Sequence, residues 1–135
     1  MICIRTYKAE DFDTIDTQEE QLNEFIVFNP DTCDAYTIYD DETNEIFCIL
    51  VFTPLSKDRC IISSLLSKGA GKHFIGMRNI IYQMLDLYKF TRLECMVRTS
   101  FAQGHRLVQI LGFSFEGTLR KFFKNQDYSI YARVL

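Results

Sequence analysis

The run Ile46-Phe47-Cys48-Ile49-Leu50-Val51-Phe52 constrains this chain more than any other stretch. Extended, seven successive apolar residues leave no face for water, so the strand they form has to be covered on both sides. The run is far short of the roughly 20 residues that span a membrane. It therefore predicts a central strand between two layers, with Ala35 to Tyr39 as its hairpin partner across the polar Asp40-Asp41-Glu42-Thr43-Asn44 turn.

The other elements follow from the same patterns. Ile2 to Tyr7 is β-branched and reads as a strand. Glu10 to Phe28 reads as one or two helices with Phe12, Ile15, Leu22, Phe25 and Ile26 on the apolar face, stopped at Asn29-Pro30-Asp31 because proline breaks the ladder. Arg59 to Leu66 is a strand that runs into Ser67-Lys68-Gly69-Ala70-Gly71. Phe74, Met77, Ile81, Met84 and Tyr88 then recur at helical spacing. Leu93 to Thr99 is a strand and Ala102 to Leu111 a helix ended by Gly112. Phe113 to Phe122 and Tyr128 to Val134 close the chain about a Lys124-Asn125-Gln126-Asp127 turn. The predicted order is β-α-β-β-β-α-β-α-β-β, a mixed α/β (α+β) layer and not a doubly wound nucleotide fold. At 135 residues the expectation is one domain, 1–135.

The five cysteines, 3, 33, 48, 60 and 95, are odd in number and hold no C-x-x-C pair, which argues for reduced thiols and against a zinc site or disulfide framework. His73 and His105 stand alone, so no metal site is expected. Met1-Ile2-Cys3-Ile4-Arg5 is unlike a signal peptide, and cytoplasm is the default. Charge is divided along the chain: residues 9–56 hold 13 acids and no Lys or Arg, whereas 57–135 hold 13 Lys and Arg against 5 acids. That split fits either solvated faces or two ligands of opposite charge, an anion held by the second half and a cation by the first. The pI of 5.3 argues against nucleic acid.

A strand that ends in a Gly-rich loop and opens a helix aims unpaired N–H groups and the positive helix end at one point. Gly69, Ala70, Gly71, Lys72 and His73 meet that description, with Lys68 and Lys72 adding charge. The loop is either an anion site or a plain turn. A P-loop is excluded, since no Gly lies five before Gly71 and His73 stands where Ser or Thr would hold magnesium.

Downstream, Arg92-Leu93-Glu94-Cys95-Met96-Val97, Arg106-Leu107-Val108-Gln109-Ile110-Leu111-Gly112-Phe113, Phe115-Glu116-Gly117 and Leu119-Arg120 run in one register. They resemble the pattern R-L-E-A-x-V-x-x-x-N-x-x-S-x-R-V-L-E-K-L-G-F-x-x-E-G-x-L-R of the ribosomal-protein N-terminal acetyltransferase (RimJ/RimL-like) branch of the GCN5-related N-acetyltransferase (GNAT) family. Asp127 and Tyr128 to Tyr131 resemble its close, and Lys68 to His73 its R-G-x-G-x-G pyrophosphate loop. Small phage-encoded members of the fold, a podovirus virion protein among them, are similar from Lys72 to Phe113.

The resemblance implies a GNAT-type mixed sheet whose splayed strand pair forms an acetyl-CoA cleft, with an amine acceptor that is a protein N-terminus, a lysine or a small amine. Acetyl-CoA would be co-substrate and a basic peptide or protein a candidate partner, with no membrane and a homodimer admitted. The implied cofactor residues are Leu65 and Leu66 through their backbone amides, then Lys68, Gly69, Ala70, Gly71, Lys72, His73 and Phe74, then Phe101 and Gly104 on the last helix.

The departures are as informative. The family's helix Asn is Phe101, its Ser is Gly104, the Tyr acid of some branches falls at Val108, and the strand Glu base of one branch falls at Met96. Glu94, two residues from Met96 and so on the same strand face, is the candidate catalytic base through a water, or else a structural partner of a cation. Two functions follow: an N-acetyltransferase whose acidic first half (Asp11, Asp13, Asp16, Glu19, Glu20) borders the acceptor groove, or a non-catalytic interaction or virion-associated protein on the same frame.

Overall fold

The computed structural model describes residues 1–22 and 31–135. Seven strands form one sheet: β1 Ile2–Thr6, β2 Asp34–Asp40, β3 Ile46–Pro54, β4 Arg59–Leu66, β5 Arg92–Arg98, β6 Ser114–Phe123 and β7 Gln126–Val134. Their spatial order is β1-β2-β3-β4-β5-β7-β6. The β4–β5 pair is parallel and the other neighbours are antiparallel. A parallel pair needs a long crossover, and helix α2, Phe74–Leu87, supplies it.

β3 is the central strand its composition demands, buried without interruption from Ile46 to Phe52. On one face Cys48, Leu50 and Phe52 pack with Phe74, Met77, Ile81 and Leu85 of α2 and with Leu107 and Val108 of α3, Ala102–Ile110. On the other, Ile49 and Val51 pack with Ile15 and Leu65. Leu85 completes the buried stripe of α2, while Met84 and Tyr88 flank it.

The first helical segment departs from expectation. Helix α1 covers only Ala9–Thr14, and Ile15 is already extended, at φ −64 and ψ 131. The chain leaves the helix because Asp16 to Gln18 pair with the end of β4. Lys68 N–H donates to the Asp16 carbonyl at 2.8 Å and Gln18 N–H to the Leu66 carbonyl at 3.0 Å. A short 3-10 turn, Glu19–Gln21, follows. Phe12 and Leu22, expected inside, are exposed. Phe25, Ile26 and the Asn29-Pro30 stop lie outside the described residues.

The final hairpin is also tighter than expected. Phe123 pairs with Gln126, so Lys124 and Asn125 alone make the turn, both at positive φ (48° and 63°). That is the two-residue geometry matching strand twist.

Candidate active site

β4 and β5 pair over only three positions, Arg59↔Arg92, Cys60↔Leu93 and Ile61↔Glu94, and then diverge. Glu94 locks the closed end. Its Oε1 accepts from Arg59 Nε and Arg92 Nε, both at 2.7 Å, and its Oε2 from Arg59 Nη2 at 2.9 Å. The Arg59 guanidinium, opposed by burial and joined by Arg92, holds this carboxyl below the usual range. Arg92 continues the network to Glu116 of β6. The ion pairs therefore fasten three strands where the splay begins.

Beyond that clamp a cavity of about 380 Å³ runs through the sheet between the two strands. Ile49, Val51, Ile61 and Leu65 line it on the α1 side, and Val97, Phe101, Leu107 and Val108 on the α3 side. Met96 and Cys95 lie on its β5 wall. Burial pushes the Cys95 thiol up to about 12, so it is no nucleophile at neutral pH. Glu94 is absent from the lining.

The two amides expected to face the cleft are both engaged. The Leu66 N–H donates to Gln21 Oε1 at 2.7 Å, while Gln21 Nε2 donates to the Ser64 carbonyl at 2.8 Å. A primary amide carries a donor and an acceptor side by side, so one glutamine pins both groups. Ser67 N–H points to β3, donating to the Phe47 carbonyl at 2.9 Å, and by strand alternation Leu65 N–H points the same way. Alternation leaves Ser64 N–H turned toward the cleft. Gln21 is 6 % exposed, and nothing in its local sequence marked it for this role.

At the wide end of the cleft β4 runs through Ser67 and Lys68 into a 3-10 turn, Ala70–His73, that opens α2. Gly69 and Gly71 have ordinary or unremarkable φ, with Gly69 at −87°, so their requirement is space. A Cβ on Gly71 would stand 2.9 Å from Gln103 Oε1, and one on Gly69 3.0 Å from Glu45 Oε1. Gln103 Oε1 is itself sealed from solvent with no hydrogen-bond partner. Lys68 and Lys72 are exposed at this loop, and Lys68 Nζ lies 3.8 Å from Asp16. Ala70 and Phe74 are buried beneath it, and the His73 ring stacks on Phe47 with centroids 4.4 Å apart.

Phe101 and Gly104 explain each other. A Cβ at Gly104 would come within 2.7 Å of both the Phe101 ring and Val97 Cγ1, so the large ring demands the missing side chain. Behind them His105 Nε2 reaches the Arg98 and Thr99 carbonyls at 3.0 and 3.1 Å. Carbonyls only accept, so in the neutral ring Nε2 carries the proton and Nδ1 accepts from Tyr131 OH at 2.8 Å. His105 thus ties α3 to the end of β5.

The acidic first half is not one cluster. Asp11 is 4 % exposed and accepts from Arg5 at 2.7 and 2.8 Å, from Thr37 at 2.7 Å and from Lys8 N–H at 2.9 Å. Burial alone would raise its pKa, but these bonds outweigh it and hold it at about 2. Asp13, Asp16 and Glu19 remain exposed.

No family model matches the sequence, and no curated protein does. Solved structures do match. Ribosomal-protein-S5-alanine acetyltransferase from Vibrio fischeri superposes with a TM-score of 0.74 over 98% of this chain and 92% of that one, at 12% identity. A GNAT family acetyltransferase from Elizabethkingia anophelis, solved with acetyl-CoA bound, gives 0.71 over 99% and 98% at 17% identity. Ard1 from Thermoplasma volcanium gives 0.73 over 99% and 97% at 14% identity.

The chain has the GNAT acetyltransferase fold. Its seven-stranded mixed sheet and helices superpose on those acetyltransferase structures over nearly the whole chain. No helix among the described residues is long and apolar enough to cross a membrane.

Proposed function

We propose that this chain is an acetyl-CoA-dependent N-acetyltransferase acting on a primary amine, in the cytoplasm of the cell that makes it. The observation that carries the reading is the cavity between β4 and β5, lined by Phe101, Gly104, Leu107 and Val108 on the α3 face and by Ile49, Val51 and Leu65 on the α1 face. A thioester arm entering from the Lys68–Phe74 loop and an amine arriving from the other face would meet inside it. Lys68, Gly69, Ala70, Gly71, Lys72, His73 and Phe74 would hold the pyrophosphate end, and Phe101 and Gly104 the arm.

The chemistry is attack of a neutral amine on the thioester carbonyl, which needs N–H donors for the oxyanion. The Ser64 amide serves that role better than Leu65 or Leu66, whose amides are engaged. Glu94 acts by fixing the splay. Its carboxylate is committed to two arginines and outside the cavity. With no base on the walls at Met96 or Val108, the amine has to arrive neutral. At pH 7 an N-terminal amine is neutral roughly a tenth of the time and a lysine about one part in a few thousand, so N-termini are favoured.

A non-catalytic binding protein is the competing reading, and a specific observation favours it: Gln21 and Asp16 to Gln18 already pair with the β4 edge where a ligand would lie. The readings part on one assay, release of free coenzyme A thiol from acetyl-CoA with N-terminal peptides. Turnover that needs both substrates supports the enzyme. Acetyl-CoA binding without turnover across a broad amine panel supports the binding protein.

A further inference from the structure

The cavity holds one charged side chain among its described lining residues, Arg98, the last residue of β5. Val97 packs into the core shared with α2 and α3, so by strand alternation Arg98 turns to the opposite face, that of α1. There its Nη1 donates to the Glu20 carbonyl at 3.3 Å, a long contact to a neutral group. Its Nε is sealed from solvent and has no acceptor. Arg5 is answered by Asp11, and Arg59 and Arg92 by Glu94, each at 2.7 Å, while Arg78 and Arg133, which also carry a buried nitrogen without a partner, lie outside the cavity lining. No carboxylate lies within ion-pair distance of Arg98 among the described residues.

Among the described residues this guanidinium, in a largely apolar cleft with a buried donor unmatched, has no counter-charge, and a ligand can bring one. The planar fork suits a carboxylate, which it binds with two parallel hydrogen bonds. The pyrophosphate end of a coenzyme A arm belongs at the other side, by Lys68 and Lys72. The anion on the α1 face therefore belongs to the acceptor. Resting on the acetyltransferase reading, we propose that the acceptor carries a carboxylate beside its amine, as a free amino acid or a peptide N-terminus with an acidic residue does, and that Arg98 receives it. Within the acid-rich first half, the buried Asp11 is already neutralised by Arg5, and Asp13, Asp16 and Glu19 are exposed to solvent.

The test uses the whole chain with saturating acetyl-CoA and follows thiol release. Alanine is compared with alaninamide, and Ala-Glu peptides with Ala-Gln peptides, each rate referred to neutral amine. Hydrogen bonds to charged groups contribute about 1.5 to 3 kcal/mol, so the carboxylate form should be preferred about 10- to 100-fold in kcat/KM. The alanine pair and the peptide pair distinguish the two sources. Arg98→Met should abolish the preference and Arg98→Lys keep part of it, with KM for acetyl-CoA unchanged in both. Equal rates for acid and amide on the parent chain overturn the proposal, whether or not the variants fold, as does a preference that survives Arg98→Met. Acetyl-CoA that produces no thermal shift and no turnover with any amine sinks the enzyme reading and this inference together, a result distinct from the first.

Discussion

Glu94→Gln separates a structural carboxylate from a catalytic one. The substitution keeps the side chain's size but removes its charge, and it places an NH₂ where one oxygen now meets Arg59. Three charge-assisted bonds of 2.7, 2.9 and 2.7 Å converge on that carboxylate, which is 3 % exposed. Hydrogen bonds to charged groups are worth about 1.5 to 3 kcal/mol each. Arg59 is half-exposed, so water screens its share, and the glutamine oxygen retains part of the rest. A net loss of about 2 to 3 kcal/mol follows, or a fall in Tm of roughly 6 to 10 °C for a chain of this size.

The sign with pH is also determined. Because the folded pKa of Glu94 is lowered, its stabilisation is present above the unfolded value of 4.5 and is lost as pH falls through the folded one. The gap between parent and variant should therefore narrow in acid. Urea unfolding at pH 7 and pH 3, beside a pH-rate profile for each protein, makes the measurement. A variant as stable as the parent, whose rate loses its pH dependence, would refute the reasoning and return Glu94 to the role of base.

Four further outcomes are expected. Asp11→Asn should cost about 2 kcal/mol at neutral pH, from a pKa of about 2 against 3.8, and the difference measured by urea titration should vanish between about pH 4 and 2. Gly71→Asp should lower coenzyme A affinity at least about tenfold by calorimetry, while thermal melts change little, because the atom it meets is the end of a flexible Gln103 side chain. Glu45→Gln, which removes a carboxylate lying against Gly69, should tighten coenzyme A binding about two- to fivefold at low salt and less at high salt. Turnover of lysine peptides should rise nearly tenfold per pH unit from 6 to 9, and a flat profile would reveal a base elsewhere.

How much of this was legible in the sequence depended on whether a signal was local. The seven-residue apolar run, the 3 and 4 spacing of α2 and the Gly-rich break each marked an element through its own composition, and together they set the order of elements along the chain. The short first helix was not legible. Its apolar spacing suits a helix, but the unpaired edge of β4 competes for the same backbone, and that edge is created nearly fifty residues later. The same competition hid Gln21, an ordinary glutamine until the splay gives its amide two partners. Phe101 and Gly104 were visible as departures from a pattern. Their joint cause, a ring filling the volume a Cβ would need, required coordinates. Arg98 carried no signal because what distinguishes it is its place in the cavity lining with no carboxylate partner among the described residues, which only packing reveals.

Calorimetric titration of the intact chain with acetyl-CoA decides whether the cleft between β4 and β5 is a coenzyme site. One site is expected, with a Tm rise of roughly 8 °C at a hundredfold excess over Kd, since a ligand bound only to the native state adds about 2.7 kcal/mol there. Gly71→Asp should weaken both signals together. No heat and no shift in Tm at millimolar acetyl-CoA would mean that the cleft does not bind it.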